Sequence, residues 1–245
     1  MINFFRKIRL QLLAQNKVSR YLLYALGEIF LVVIGILIAL QINNWNDWRK
    51  DRAKERILLQ DMAENLELNV QNLQGDIAFL RAMNRSSTIV LEALGSRTPF
   101  SDSLPAHFHL ARVSKQNLSL SDIAYQALKS QGLDIVTNKE LGKEILKLHE
   151  VTVPNILSTN SLVNEEYQPF VNHVVQHFDL VQGVGLTPHD YESMFTDHFY
   201  ISWTKAYGQG RLYLIETDEV LIAEYQKVLD LVQEELGLTN RITPI

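Results

Sequence analysis

Cysteine is absent from this 245-residue chain. Disulfide frameworks, thiolate zinc sites, iron–sulfur clusters and thiol catalysis are therefore excluded by composition. Other signals of chemistry are missing too. No Gly-rich phosphate loop occurs: GVG at 183–185 and GQG at 208–210 lack the lysine and the strand context. There is no GxSxG elbow and no HExxH. No segment alternates convincingly as a strand, and no internal repeat is visible. A net charge of −5 is not that of a dedicated nucleic-acid binder, and 47% hydrophobic residues do not suit a disordered chain. One further absence is local. Residues 1–20 carry Arg6, Lys7, Arg9, Lys17 and Arg20 but no acid, so this tail is +5 and the remainder is −10.

What is present begins immediately after that tail. Tyr21 to Leu40 reads YLLYALGEIFLVVIGILIAL, with Glu28 as its one charge. As a helix it spans roughly 30 Å, the thickness of a bilayer's hydrocarbon core. From Ile29 to Leu40 nothing is more polar than Gly35. Tyr21 and Tyr24 border one end, Trp45 and Trp48 the other, as interfacial belts do. The stretch is too long for a cleaved signal peptide, and no small-x-small cleavage site follows. We read 21–43 as an uncleaved signal-anchor helix. Five Lys/Arg precede it, and five follow within Arg49–Arg56. The acid-free tail and the long downstream segment favour a cytoplasmic N-terminus and an extracytoplasmic 44–245, because long domains cross largely regardless of charge. In the tail, Phe5, Ile8 and Leu12 share a helical stripe with Leu13 beside it. This suits a basic amphipathic helix on the inner leaflet, or equally a topogenic tail without structure of its own.

The segments NFFRKIR and YLLYALGEIFLVVIGILIALQINNWN resemble the N-terminal signature of an uncharacterised bacterial family of short single-pass inner-membrane proteins, a domain of unknown function. Residues 126–150, QALKSQGLDIVTNKELGKEILKLHE, resemble that family's second recurrent segment. The resemblance implies the architecture and a bacterial inner membrane. It implies no activity and no catalytic residue.

Beyond the span, Leu59, Met62, Leu66, Val70, Leu73, Ile77 and Leu80 recur every three or four residues, the seam of a long helix over about 47–95. Gly95, Ser96, Pro99 and Pro105 mark a linker over 96–118. A helical bundle is expected over 119–237. Ser121 precedes one helix that stops at Gly132. Thr137-Asn-Lys-Glu140 reads as a capping box opening a helix with Leu141, Ile145 and Leu148 on one face, which Pro154 kinks or breaks. A helix over about 157–181 ends at Gly183 and Gly185, and Thr187-Pro188-His189-Asp190 starts another. Gly208 and Gly210 interrupt, and the last helix carries Leu214, Leu221, Tyr225, Val228, Val232 and Leu236 and closes at Gly237. The expected fold class is all-α: one N-terminal transmembrane helix continuing into an elongated helical bundle.

Three groups of residues are candidates for function. Glu28 is a carboxylate inside the hydrocarbon, costly when charged and facing lipid. It docks a partner helix, bonds its own copy in a homo-oligomer, relays an ion, or is tolerated as a shallow charge. Gly35-x-x-x-Ala39 offers a small-residue face for close helix contact. His173 and His177 stand four apart, with His189 and His198 following and Asp179, Asp190, Glu192 and Asp197 nearby. Such a pair with a third ligand could chelate a metal, while the simpler expectation is ordinary bundle histidines without metal or cofactor. Glu165-Glu166 and Glu234-Glu235 read as solvated helix faces, and the mixed run Arg49–Arg56 as a membrane-proximal helix, not a nucleic-acid arm. The expected function is a non-enzymatic membrane-anchored interaction or scaffold protein, with the bilayer and either a second copy or a membrane-protein partner as its contacts and no nucleic acid. A periplasmic ligand-sensing module is the alternative, and a metal-dependent enzyme resting on the histidines a more distant one.

Overall fold

A computed structural model describes residues 18–113, 118–165 and 168–237. The amphipathic-tail expectation lies outside the described residues, as do the side chains of Tyr21, Tyr24, Glu165 and Glu166. The chain divides into two units, Met1–Lys54 and Glu55–Ile245. Helix α1, Val18–Gly95, contributes to both.

In the first unit α1 is apolar on every side from Ile29 to Leu40. Its most apolar 18-residue window has a mean hydropathy of 2.5, and none of that window is buried. This helix is long and apolar enough to cross a membrane. Just past the apolar stretch the pairs are local and exposed. Asn43 donates to Asp47, Lys50 pairs with Asp47 at 3.5 Å, and the Arg49 guanidinium lies 5.5 Å from the Trp45 ring centre.

In the second unit α1 becomes amphipathic, and the expected seam from Leu59 to Leu80 is buried throughout. The helices that follow α1 are α2 (Leu104–Arg112), α3 (Ile123–Gln131), α4 (Lys139–Lys147), α5 (Val153–Glu165), α6 (Gln168–His177) and α7 (His198–Glu235). One core joins Met62, Leu66 and Leu73 of α1 to Leu128, Leu141, Ile145, Leu221 and Val228. A second, aromatic core joins Val90 and Leu94 to Phe108, Phe170, Phe178, Tyr200 and Tyr207. A smaller group around Leu80, Met83 and Leu214 lies on the same two long helices. The structure is predominantly helical, as expected.

Several local expectations are corrected. The 96–118 linker contains α2: Pro105 sits in its first turn, where a missing N–H costs nothing, and Leu104, Phe108 and Ala111 are buried. The capping box is displaced by one residue. Asn138 is the cap, its side chain accepting from the N–H groups of Glu140 and Leu141. Pro154 does not end its helix. A π turn, Leu148–Thr152, joins α4 to α5 and widens the backbone just where a proline ring would meet the preceding carbonyl. The helix expected to reach residue 181 stops at His177. Strands β1 (Phe178–Val181) and β2 (Gly185–Pro188) then form an antiparallel hairpin in register Phe178↔Pro188 to Val181↔Gly185. Thr187 and Pro188 thus belong to a strand. The next long helix opens at His198, capped by Asp197, whose carboxylate accepts from Tyr200 N–H at 2.9 Å. Neither Gly208 nor Gly210 interrupts α7. A Cβ on Gly208 would lie 3.1 Å from the Asn84 side-chain oxygen, so this glycine marks close approach of α7 to α1.

Candidate functional site: the apolar span and the polar centres of the helical unit

Within the span, Glu28, Gly35 and Ala39 share one face. At 100° per residue they fall within about 20° of a common line along the helix. Gly35 has open space where a Cβ would be. The arrangement gives an acid and two small residues on a single stripe, the surface on which another helix could approach closely.

Of the four histidines, His173 and His177 form a pair, while His189 and His198 stand apart from them. His173 Nε2 donates to Asp197 Oδ2 at 2.6 Å. The His177 ring stacks on His173 at 4.1 Å, and its Nδ1 donates to the His173 carbonyl one turn back. His189 Nε2 lies 3.2 Å from Asp179 Oδ1 across the base of the hairpin. His198 is exposed at the start of α7. Stacked rings aim their nitrogens along their planes, away from any shared point. Among the described residues, no three His, Asp or Glu side chains gather as a metal-binding group.

The helical unit holds three polar centres that sequence reasoning did not single out. The first is a clasp along α1. Asn69 is fully buried; its amide donates to Ser121 O and accepts from Ser121 N–H, both at 2.8 Å. One turn to either side, Asn65 donates to Ser121 Oγ and Asn72 to Ser119 O, each at 2.9 Å. These asparagines give a segment without regular structure the hydrogen-bond partners its backbone needs. Glu55 does similar work near the start of the unit, accepting from Thr137 N–H at 2.6 Å and Thr137 Oγ1 at 3.0 Å. Glu55 is buried, although it belongs to the mixed run Arg49–Arg56.

The second centre surrounds the π turn. His149 stacks on Tyr125, ring centres 4.3 Å apart and planes within 2°, and meets Tyr225 edge-on. Burial pushes the imidazole down to about 4, against the smaller opposing pull of Asp122 and Glu150. Burial also raises Tyr225 to about 12, with its bond to Asn69 acting the other way. Tyr125 donates to Glu150 Oε1 at 2.6 Å, as does Lys129 Nζ. Burial, then that bond, holds the Tyr125 hydroxyl well above the usual phenol range. Lys129, then Tyr125, holds the Glu150 carboxyl below its usual range. The imidazole is therefore neutral at pH 7. Among the described residues its Nε2 has no hydrogen-bond partner and is closed off from solvent.

The third centre is Arg211, buried on α7. Its guanidinium donates to Ser87 Oγ at 2.7 Å, to Val113 O at 3.0 Å and to Ala111 O. It also lies over the Tyr207 ring. The cation thus caps the C-terminal carbonyls of α2, where the helix dipole favours positive charge.

All of α1's clasping residues fall inside one recognisable segment. Residues 28–92 match a family of unknown function, DUF6090. The match runs from the acid of the apolar span to the second-last turn of α1, and takes in Glu55, Asn65, Asn69 and Asn72. The chain is thus similar to an uncharacterised domain, as its N-terminal residues suggested. No curated protein and no solved structure matches it. A usable signal for the clasp did exist in the sequence: three asparagines at i, i+4 and i+7 follow the buried seam instead of the opposite face.

Proposed function

We propose that this protein is a single-pass scaffold of a bacterial inner membrane. Residues 21–43 form its anchor, the basic tail is cytoplasmic, and the helical unit lies on the periplasmic side. Its task is to dock a second copy of itself or a membrane-protein partner, with the span contributing to the contact. One observation carries the reading: the apolar window has a mean hydropathy of 2.5 and no part of it is buried by the rest of the chain. Leaving so much apolar surface in water would be costly, at about 25 cal/mol per Å², and a bilayer removes that cost. The common face of Glu28, Gly35 and Ala39 supports helix association within the membrane.

Reporter fusions after Ile245 test the orientation. An enzyme active only outside the cytoplasm supports it, and one active only in the cytoplasm refutes it. Purification in mild detergent, with Glu28→Gln and Gly35→Leu variants beside the parent, tests the docking. Loss of oligomer size or of a co-purifying protein in both variants is the expected result. Unchanged size and unchanged companions would remove the span from the interaction.

A further inference from the structure

The β hairpin is not merely a turn between helices. Gly185 adopts a φ of +126°, and a Cβ there would fall 2.3 Å from the Pro105 carbonyl oxygen. Only glycine lets β2 rest this closely on the first turn of α2. Beside that contact opens a cleft of about 620 Å³, within the range of small-molecule sites. Ala106 and Leu110 form its helical wall, and Leu180, Val181 and Val184 its hairpin wall. Leu180 is 65% exposed and Val184 50%, so this apolar lining is not consumed by the protein's own core.

The chemistry of the lining restricts what could fill it. No Asp, Glu, Lys or Arg is among the lining residues; the polar ones are His109 and Gln182. A charged group entering such a cleft would lose water without meeting a counter-ion. His109 Nδ1 is closed off from solvent and has no hydrogen-bond partner among the described residues. His109 and Gln182 therefore bring the polar side chains to this lining, and an imidazole or an amide can donate to an acceptor that enters it.

We propose that this cleft binds an uncharged, mostly apolar small molecule carrying one hydrogen-bond acceptor, the class of long-chain alcohols, ketones and esters. Hairpin and α2 supply the apolar walls, and His109 orients the acceptor. The site needs no particular membrane orientation and is independent of docking through the span.

The test uses the full chain in lipid nanodiscs and a long-chain alcohol bearing an alkyl diazirine as the probe. After photolysis, labelled peptides are mapped by mass spectrometry. Labels are expected in 106–110 and 180–185, removed by excess dodecanol. Val184→Glu places a carboxylate in the lining at a half-exposed position and should reduce cleft labelling roughly tenfold. Leu180→Lys, at a more exposed position, should do the same and serves if the first variant melts early. His109→Phe keeps the ring and should weaken labelling by the alcohol while sparing a pure alkyl diazirine. A fatty-acid diazirine should label the cleft far less than the alcohol does. Labels confined to the span, or cleft labels unchanged by both charge variants, would overturn the proposal. So would an unlabelled cleft whose charge variants lose a co-purifying protein, which would make the occupant a protein side chain.

Discussion

Asn69→Ala removes the centre of the clasp between α1 and the segment preceding α3. Two hydrogen bonds to the Ser121 backbone disappear, each worth about 1 kcal/mol net. The freed N–H and C=O then lie at a half-buried position, adding up to about 1 kcal/mol apiece where water reaches them poorly. The bond to the Tyr225 hydroxyl is lost as well. The total is about 2–4 kcal/mol, which for a unit of this size lowers the melting temperature by roughly 6–12 °C. Asn72→Ala is the control. It removes one exposed bond, to Ser119 O, which water replaces, and should cost under about 1 kcal/mol. Thermal unfolding by circular dichroism measures both, and hydrogen exchange should show residues 118–122 loosening first in Asn69→Ala. Asn69→Asp keeps the acceptor for Ser121 N–H but sets a carboxylate against Ser121 O, so it should be no more stable than the alanine variant. If Asn69→Ala melts no lower than Asn72→Ala, the clasp reasoning is wrong.

Other centres give equally direct expectations. Arg211→Met should destabilise by about 2–4 kcal/mol, because Ala111 O and Val113 O lose a charged donor; exchange should accelerate first in Leu104–Arg112, and uniform acceleration would contradict the capping role. Arg211→Lys should recover only part of the loss, since one ammonium cannot span the three acceptors. His149 titrates near 4 when folded against 6.5 for the free side chain. The unfolded chain therefore binds the extra proton between those values. Stability present above pH 6.5 is lost as pH falls towards 4, by at most about 3 kcal/mol. His149→Phe keeps a ring against Tyr125 and should flatten that slope in urea titrations, and an unchanged slope would assign it to other groups. Tyr225 works in the opposite direction: its raised value means that stability is lost as pH climbs from 10 to about 12, and Tyr225→Phe should remove that alkaline component.

The apolar window, the seam from Leu59 to Leu80 and the final helix's buried face were legible because each is a local repeat of residue type. Periodicity needs no knowledge of the partner: a stripe every three or four residues must be buried somewhere. Breakers were harder to read, because their meaning depends on what lies across from them. Pro105 opens a helix instead of closing one, Pro154 is absorbed by a π turn, and Gly208 permits α7 to approach Asn84. The hairpin escaped notice because β1 does not alternate. Phe178 is buried in the aromatic core while Asp179, Leu180 and Val181 are all exposed.

By itself, then, the sequence determined the helical class, the candidate membrane span with its single acid, and the faces that had to be covered. Those follow from composition and period along one chain. Only the tertiary structure decided which polar side chains are buried. Glu55 reaches Thr137, Asn69 reaches Ser121 and Arg211 reaches Ala111, across separations over which no local pattern extends. It also decided that of the clustered histidines only His173 and His177 pair, whereas His149, unremarkable in its own segment, is enclosed by two tyrosines. The cost of burying a polar group depends on the partner it finds, and that partner is chosen when the elements pack.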